Sequence, residues 1–289
     1  MLYIREIKNY YLIVICIVIS SFMSNPVSAE MIVGPVSTIN ALTSNIIQIH
    51  PSFVDKITAV KNNTDLSEAT LSNATNLENN VFILANQWKN ILQPTLYWRK
   101  QQIMEYNTKF DDKLKVIKEE IEVQQQVKDP TLQKYILIDL MHLQSDITDF
   151  KDGFTELLTQ INGFKQAFAQ NSQQLQMVNT KVKVLADGYD TIGAKQKFLY
   201  AQVLYNHIDM IIGNINGPNT DGNFVTLSLL SSLESLNTKW NELDAMLSSL
   251  VDEVNRASQL NTTFMKNRLQ TVQDLWKLEI VDKLNLYCQ

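Results

Sequence analysis

Little in this chain interrupts a helix. It has 6 Pro and 8 Gly in 289 residues, and after Pro51 the prolines fall only at Pro94, Pro130 and Pro218. Proline and glycine punctuate helices, so the long spans without them read as long helices. Cysteine is nearly missing as well, with Cys16 and Cys288 at opposite ends. The histidines, His50, His142 and His207, are scattered, with no HExxH or other ligand spacing. No GxSxG, GxxxxGK[ST], GxGxxG or paired-cysteine pattern occurs; these are the spacings that place a nucleophile, cradle a phosphate or hold a metal. Asp111-Asp112 and Glu119-Glu120 lie in Lys-rich helical stretches and read as a solvated face rather than an acid/base pair. The expectation is a protein that is not an enzyme, with no catalytic residue, cofactor or metal site.

A long hydrophobic run is also lacking. The run YYLIVICIVI at 10–19 follows Arg5 and Lys8 and precedes NPVSA, ending in Val27, Ser28 and Ala29. A basic start, a short apolar core and small residues at −3 and −1 describe a secretory signal, here 1–29, cut after Ala29. The alternative is a retained anchor, but the run falls short of the roughly 20 residues that span a bilayer. Cleavage would remove Arg5, Lys8 and Glu6, turning 25 basic and 30 acidic side chains into 23 and 29, a net charge of −6. Such a balance offers no basic face for nucleic acid. Cys288 would then stand alone, so no intrachain disulfide is expected, and whether it pairs between chains is open.

What the chain does have is a packing seam. From Leu140 every seventh residue reads Leu140, Ile147, Phe154, Ile161, Phe168, Leu175, Val182, and a second series reads Ile136, Leu143, Phe150, Leu157, Phe164, Asn171, Val178, Leu185. Only Asn171 is polar, and the two series alternate at spacings of four and three. That is one apolar helical stripe sustained between Pro130 and Gly188. A helix of about 55 residues is about 80 Å long, whereas a compact globule of about 260 residues has a radius of gyration near 18 Å. An elongated body follows.

Other stretches continue the pattern. Val81, Leu84, Trp88 and Ile91 lead to Ile103, Tyr106, Phe110, Leu114, Ile117 and Ile121, with Pro94 as an expected kink. Leu233, Leu236, Trp240, Leu243, Leu247, Leu250, Val254, Ala257 and Phe264 form another stripe, followed by a register slip to Leu269, Val272, Trp276 and Ile280. Residues 36–60 read as a shorter helix interrupted near Pro51, and 61–76 as a polar loop or helix start. The expected fold is all-α: an elongated bundle of four to five helices, some very long, with a small head at one pole. Residues 30–289 would form a single elongated helical domain, with a tail bundle at 36–186 and 232–284 and a head at 187–231.

The stripe loses its order near Gly188 and Gly193. Beyond them apolar residues surround the helix, including Phe198, Tyr200, Val203, Leu204 and Tyr205, and such a helix must be covered by something. Two short apolar runs follow. The first holds Ile208, Met210, Ile211, Ile212 and Ile215; the second holds Phe224, Val225, Leu227, Leu229 and Leu230. Gly213, Gly217, Pro218 and Gly222 would supply turn freedom between them. An ordinary helical hairpin explains this stretch. A lipid- or partner-contacting tip explains it too, because uncovered apolar patches mark interaction sites. Lys181, Lys183, Lys195 and Lys197 would then face anionic lipid, although Asp187 and Asp190 dilute them and a solvated face explains them as well.

Two further segments carry a resemblance: QPTLYWRKQQIMEYNTKF at 93–110, with YNTKF the nearest verbal match, and SLNTKWNELDAMLSSL at 235–250. Together with the leader and the long helices, they resemble the Bacillus haemolysin BL and non-haemolytic enterotoxin components of the cytolysin A-like α-helical pore-forming toxins. The resemblance covers 36–284. It implies a helical tail, a membrane-active head and a secreted protein that becomes membrane-associated on the target cell. It also implies target-cell membrane lipid, companion toxin components and an oligomer on assembly as partners. The chain lacks the long uncharged hairpin of that family's most lytic members, so the resemblance implies a subunit that works with more hydrophobic companions. A non-lytic exported helical-bundle adaptor is the alternative expectation.

Overall fold

The computed structural model describes residues 34–216 and 224–288, with side chains outside 217–228. Every regular element among the described residues is helical. Helix α1 (Pro35–Asn63) begins with proline in its first turn, where a missing N–H costs nothing. Ser67 caps α2 (Glu68–Gln87) by accepting from the Thr70 amide. A π-helical turn, Trp88–Leu92, passes directly into α3 (Gln93–Val127). Lys128, in the left-handed conformation, turns the chain at once, and Asp129 caps α4 (Pro130–Thr191), which runs for 62 residues. Its length is about 93 Å. Helices α5 (Lys195–Asn216) and α6 (Phe224–Arg256) run back along it. Asn261 caps α7 (Thr262–Asp274), and a second π-helical stretch, Leu275–Val281, leads into α8 (Asp282–Tyr287).

Side-chain contacts set the register. Trp88 packs on Phe164, Arg99 crosses Gly153, and Tyr106 bonds Asp146, so α2 and α3 form one antiparallel track along α4. Lys183 over Tyr205 and Ser172 with Asn216 make α5 antiparallel to the far half of α4. Thr155–Asn237 and Gln144–Ser248 extend that track along α6. Two shorter arms complete the bundle. Helix α1 covers the half near the 192–194 turn, contacting α2 through His50–Glu78 and α5 through Lys56–His207. Helices α7 and α8 cover the other half, contacting α3 through Gln273–Asp111 and Asn285–Met104.

The all-α elongated bundle expected from the heptads is present, and the first α4 series, Leu140 to Val182, is buried throughout. Three local expectations are corrected. Pro51 lies inside a continuous α1; it is exposed, and the carbonyl it leaves unpaired lies one turn back on the same face. At Pro94 a wide turn replaces the expected kink, and the inserted residue puts Leu92 inside while Ile91 is 54% exposed. The expected slip after Val254 is a full reversal at 257–261, so six helical rods rather than four to five follow one another among the described residues. Asn261, accepting from the Phe264 amide, is the cap that marks it. Met265 takes the core position the heptad assigned to Phe264, which is half-buried. Cys288 is free and buried, its thiol pushed up to about 11 by burial, which leaves it poorly placed to pair between chains.

Candidate functional site: an apolar seam under the first helix

The turn that closes the bundle is short. Gly193 sits at φ +71, and the Ala194 amide donates to the Tyr189 carbonyl, an arrangement that reverses the chain between Thr191 and Lys195. Beside it, the Tyr189 hydroxyl receives the Asp65 amide and donates to the Asp65 carboxylate, which also pairs with Lys197 at 2.7 Å. Lys197 is therefore committed to a carboxylate, and Lys183 lies over Tyr205; Lys181 and Lys195 are exposed.

The expected tip is not at this pole. Asn216 accepts from Ser172, which lies 19 residues before Thr191 on α4. The end of α5 therefore sits about 30 Å from the turn. Nor is it uncovered. Ile208 and Ile211 are fully buried, and Ile212, Ile215, Leu229 and Leu230 are buried as well. Met210 alone of the described contact residues is exposed, at 43%. Gly213 lies within α5 with no contact near an added side chain, and so has no turn role. The side chains of Phe224, Val225 and Leu227, and the residues Gly217, Pro218 and Gly222, fall outside the described set. The physical reason for the correction is packing by both α4 and α1. Helix α5 packs along α4 on one side, and a helix more than 140 residues earlier in the chain brings Ile46, Phe53 and Val60 into the same core, so the oily faces are covered within one chain.

That cover contains polar faults. His207 is 2% exposed, with its Nδ1 2.8 Å from Lys56 Nζ and its ring 5.2 Å from Phe53. Its Nε2 has no partner, nor does the Asn179 Oδ1 on α4. Burial, and then the Lys56 charge, pulls His207 down to about 4. Burial also lowers Lys56. On the α2 side of α1, His50 Nδ1 lies 2.9 Å from the buried Glu78 carboxylate, which burial pushes above its usual range. Ser172 and Asn216 form a buried neutral pair at 2.9 Å. The Asn171 irregularity in the heptad reflects this: Ser172 and then Asn179 face inward instead. Each unpartnered buried polar group costs about 1–3 kcal/mol, so this half is held less firmly than its apolar content suggests. The heptad reading missed these groups, and lone polar residues at inward positions were the available signal.

Among the described residues no group of His, Cys, Asp and Glu could hold a metal, and no helix is long and apolar enough to cross a membrane. No family model matches the chain, and no curated protein matches it. Among solved structures, it is similar to the Bacillus cereus HblL1 toxin component, with a TM-score of 0.46 and 15% identity over 89% of this chain and 97% of that one.

Proposed function

We propose that the protein is a secreted component of a multi-component α-helical pore-forming cytolysin, contributing to assembly on, or insertion into, target-cell membranes. The leader-like start, the resemblance of 93–110 and 235–250, and the all-α elongated bundle support this reading. The observation that carries it is the seam itself: an isoleucine-rich α5 face covered in part by a separate helix through contacts that include an unpaired His207 Nε2 and a neutral His207 facing the Lys56 ammonium. Parting α1 from α5 uncovers Ile208, Ile211, Ile212 and Ile215 together. Lipid or a companion subunit then takes the place of α1, because an apolar helix face is satisfied equally by a neighbour in its own chain or in another. The uncovered α5 is about 33 Å long, but it carries Asp209, Asn206 and Asn214, which favour lying in one leaflet over crossing both.

The test is a lock. Asn45 and Asn214 face each other across α1 and α5 at 3.4 Å on the surface. Replacing both by cysteine and joining them with a short reducible cross-linker is expected to abolish vesicle binding and any enhancement of erythrocyte lysis by companion proteins, with reduction restoring both. If the locked and reduced forms act alike, the opening model fails. If the unmodified protein neither binds vesicles nor enhances lysis, the exported-adaptor reading replaces the toxin reading.

A further inference from the structure

We propose that the α1–α5 seam is an acid-sensitive latch, in which protonation of His207 against Lys56 parts these two helices. The proposal rests on the opening model above for its consequence, but the latch itself is a property of the folded chain.

The geometry dictates the chemistry. A lysine ammonium only donates, so at 2.8 Å the His207 Nδ1 is the acceptor and its Nε2 carries the hydrogen. The second proton must therefore enter at Nδ1, the atom that faces the ammonium. The product is an imidazolium against an ammonium in a seam where His207 is 2% exposed, and there like charges repel far more strongly than in water. Compensation is missing on every side. From α1 the ring meets Lys56 and Phe53. On α4, Lys183 lies over Tyr205 and adds only positive charge, and on α5 Asp209 is exposed. Among the described residues, His207 makes no ion pair. The other histidines differ: His50 faces the Glu78 carboxylate, and His142 is exposed near Asp146.

The sign follows from linkage. His207 is held near 4 when closed and returns to about 6.5 when the seam opens, so the open form binds the proton better. The closed form keeps its full advantage above about pH 6.5 and loses it progressively down to about 4. Between pH 7.5 and 5.0 the opening equilibrium rises about 30-fold. Glu78 runs the other way: burial raises it, so its own protonation favours the closed form. The acid response of His207 therefore falls on the α1–α5 contact.

The experiment is amide-exchange protection of the purified chain at pH 7.5 and 5.0, with an NMR titration of the His207 imidazole. Protection factors in 53–60 and 204–212 are expected to fall about 30-fold in the native sequence, with those in 103–121 unchanged. In His207→Phe the fall should vanish. Lys56→Met, changed at a half-exposed position, should shrink the fall and move the His207 midpoint upward, a check that stands if His207→Phe does not fold. A His207 midpoint near 6.5 in the native protein, or an equal loss of protection in native and His207→Phe chains, overturns the latch. Binding to phosphatidylcholine–phosphatidylglycerol vesicles is read separately. Acid opening without vesicle binding leaves the latch standing and overturns the membrane reading.

Discussion

The two halves of the bundle share one backbone plan and differ in what fills it. In the half covered by α7 and α8, Tyr106, Phe110, Phe150, Trp240 and Trp276 form a continuous aromatic cluster, with Phe110 stacked on Trp276 at 4.4 Å. Some of its polar atoms are answered, the Trp276 indole donating to Asn107 at 2.7 Å and Tyr106 to Asp146, which also receives Lys113; the Trp240 indole, Arg99 Nε, Glu120 Oε2 and Gln124 Oε1 have no partner. Burial beside Asp146 holds the Tyr106 phenol far above its usual range, so it stays a donor at any physiological pH. In the half covered by α1 the rings are fewer and spread out, with Phe53 under α1 and Trp88, Phe164 and Phe168 in a row. Its core is interrupted by His207, Asn179, Ser172 and Asn216, with Lys56 at its edge. Large stacked rings contribute area and directional contact, and unpartnered polar atoms subtract from the contacts around them in both halves. What sets the α1 half apart is a buried histidine facing an ammonium, and on the opening model proposed above the other half is the support from which it parts.

The sharpest way to break this comparison is to hollow the support. Trp276→Ala is expected to cost about 3–5 kcal/mol in urea unfolding, with loss of protection throughout the chain. A local loss confined to 262–288 would show that the two halves are not held by one core. Next comes acid. If the His207 latch is the dominant titrating feature, acidification from pH 6.5 to 4 weakens the α1 half by up to about 3 kcal/mol and leaves the aromatic half unchanged, read by residue-resolved exchange. Removing a fault should do the reverse. Asn179→Leu deletes the unpartnered Oδ1 and is expected to stabilise by about 1 kcal/mol while slowing seam opening, measured by thermal melting and exchange rates. The smallest change to the fold is Met210→Asp at an exposed site, expected within about 0.5 kcal/mol of native in stability yet weakened in vesicle binding. Ile211→Asp is no substitute for it: a fully buried carboxylate would lower the melting temperature and so confound the two roles.

Legibility varied along the chain for identifiable reasons. Helix α4 is legible along its first series because those side chains recur at spacings that no loop or strand reproduces, while the second series drifts at Phe150, Asn171 and Leu185, which are only half-buried. The reversal at 257–261 was passed over because apolar residues continue the period across it, and only Asn261 as a cap betrayed the break. Ile91 was placed inward because a π-helical turn inserts a residue without leaving a proline or glycine at that point. The greatest difference lies at Ile208, Ile211, Ile212 and Ile215, which are buried because α4 and α1 both pack on α5, an arrangement no local period reveals.

By itself the sequence determined the helical class, the great length of the helices and the stripe each one must bury, since these depend on residues within a few turns of each other. Which stripe meets which was decided only by the tertiary structure. The contact of Lys56 with His207 joins residues 151 positions apart, and α1 carries an apolar face that would suit any of the neighbouring stripes. Periodicity says that a face must be covered; only three-dimensional packing says by what, and how firmly.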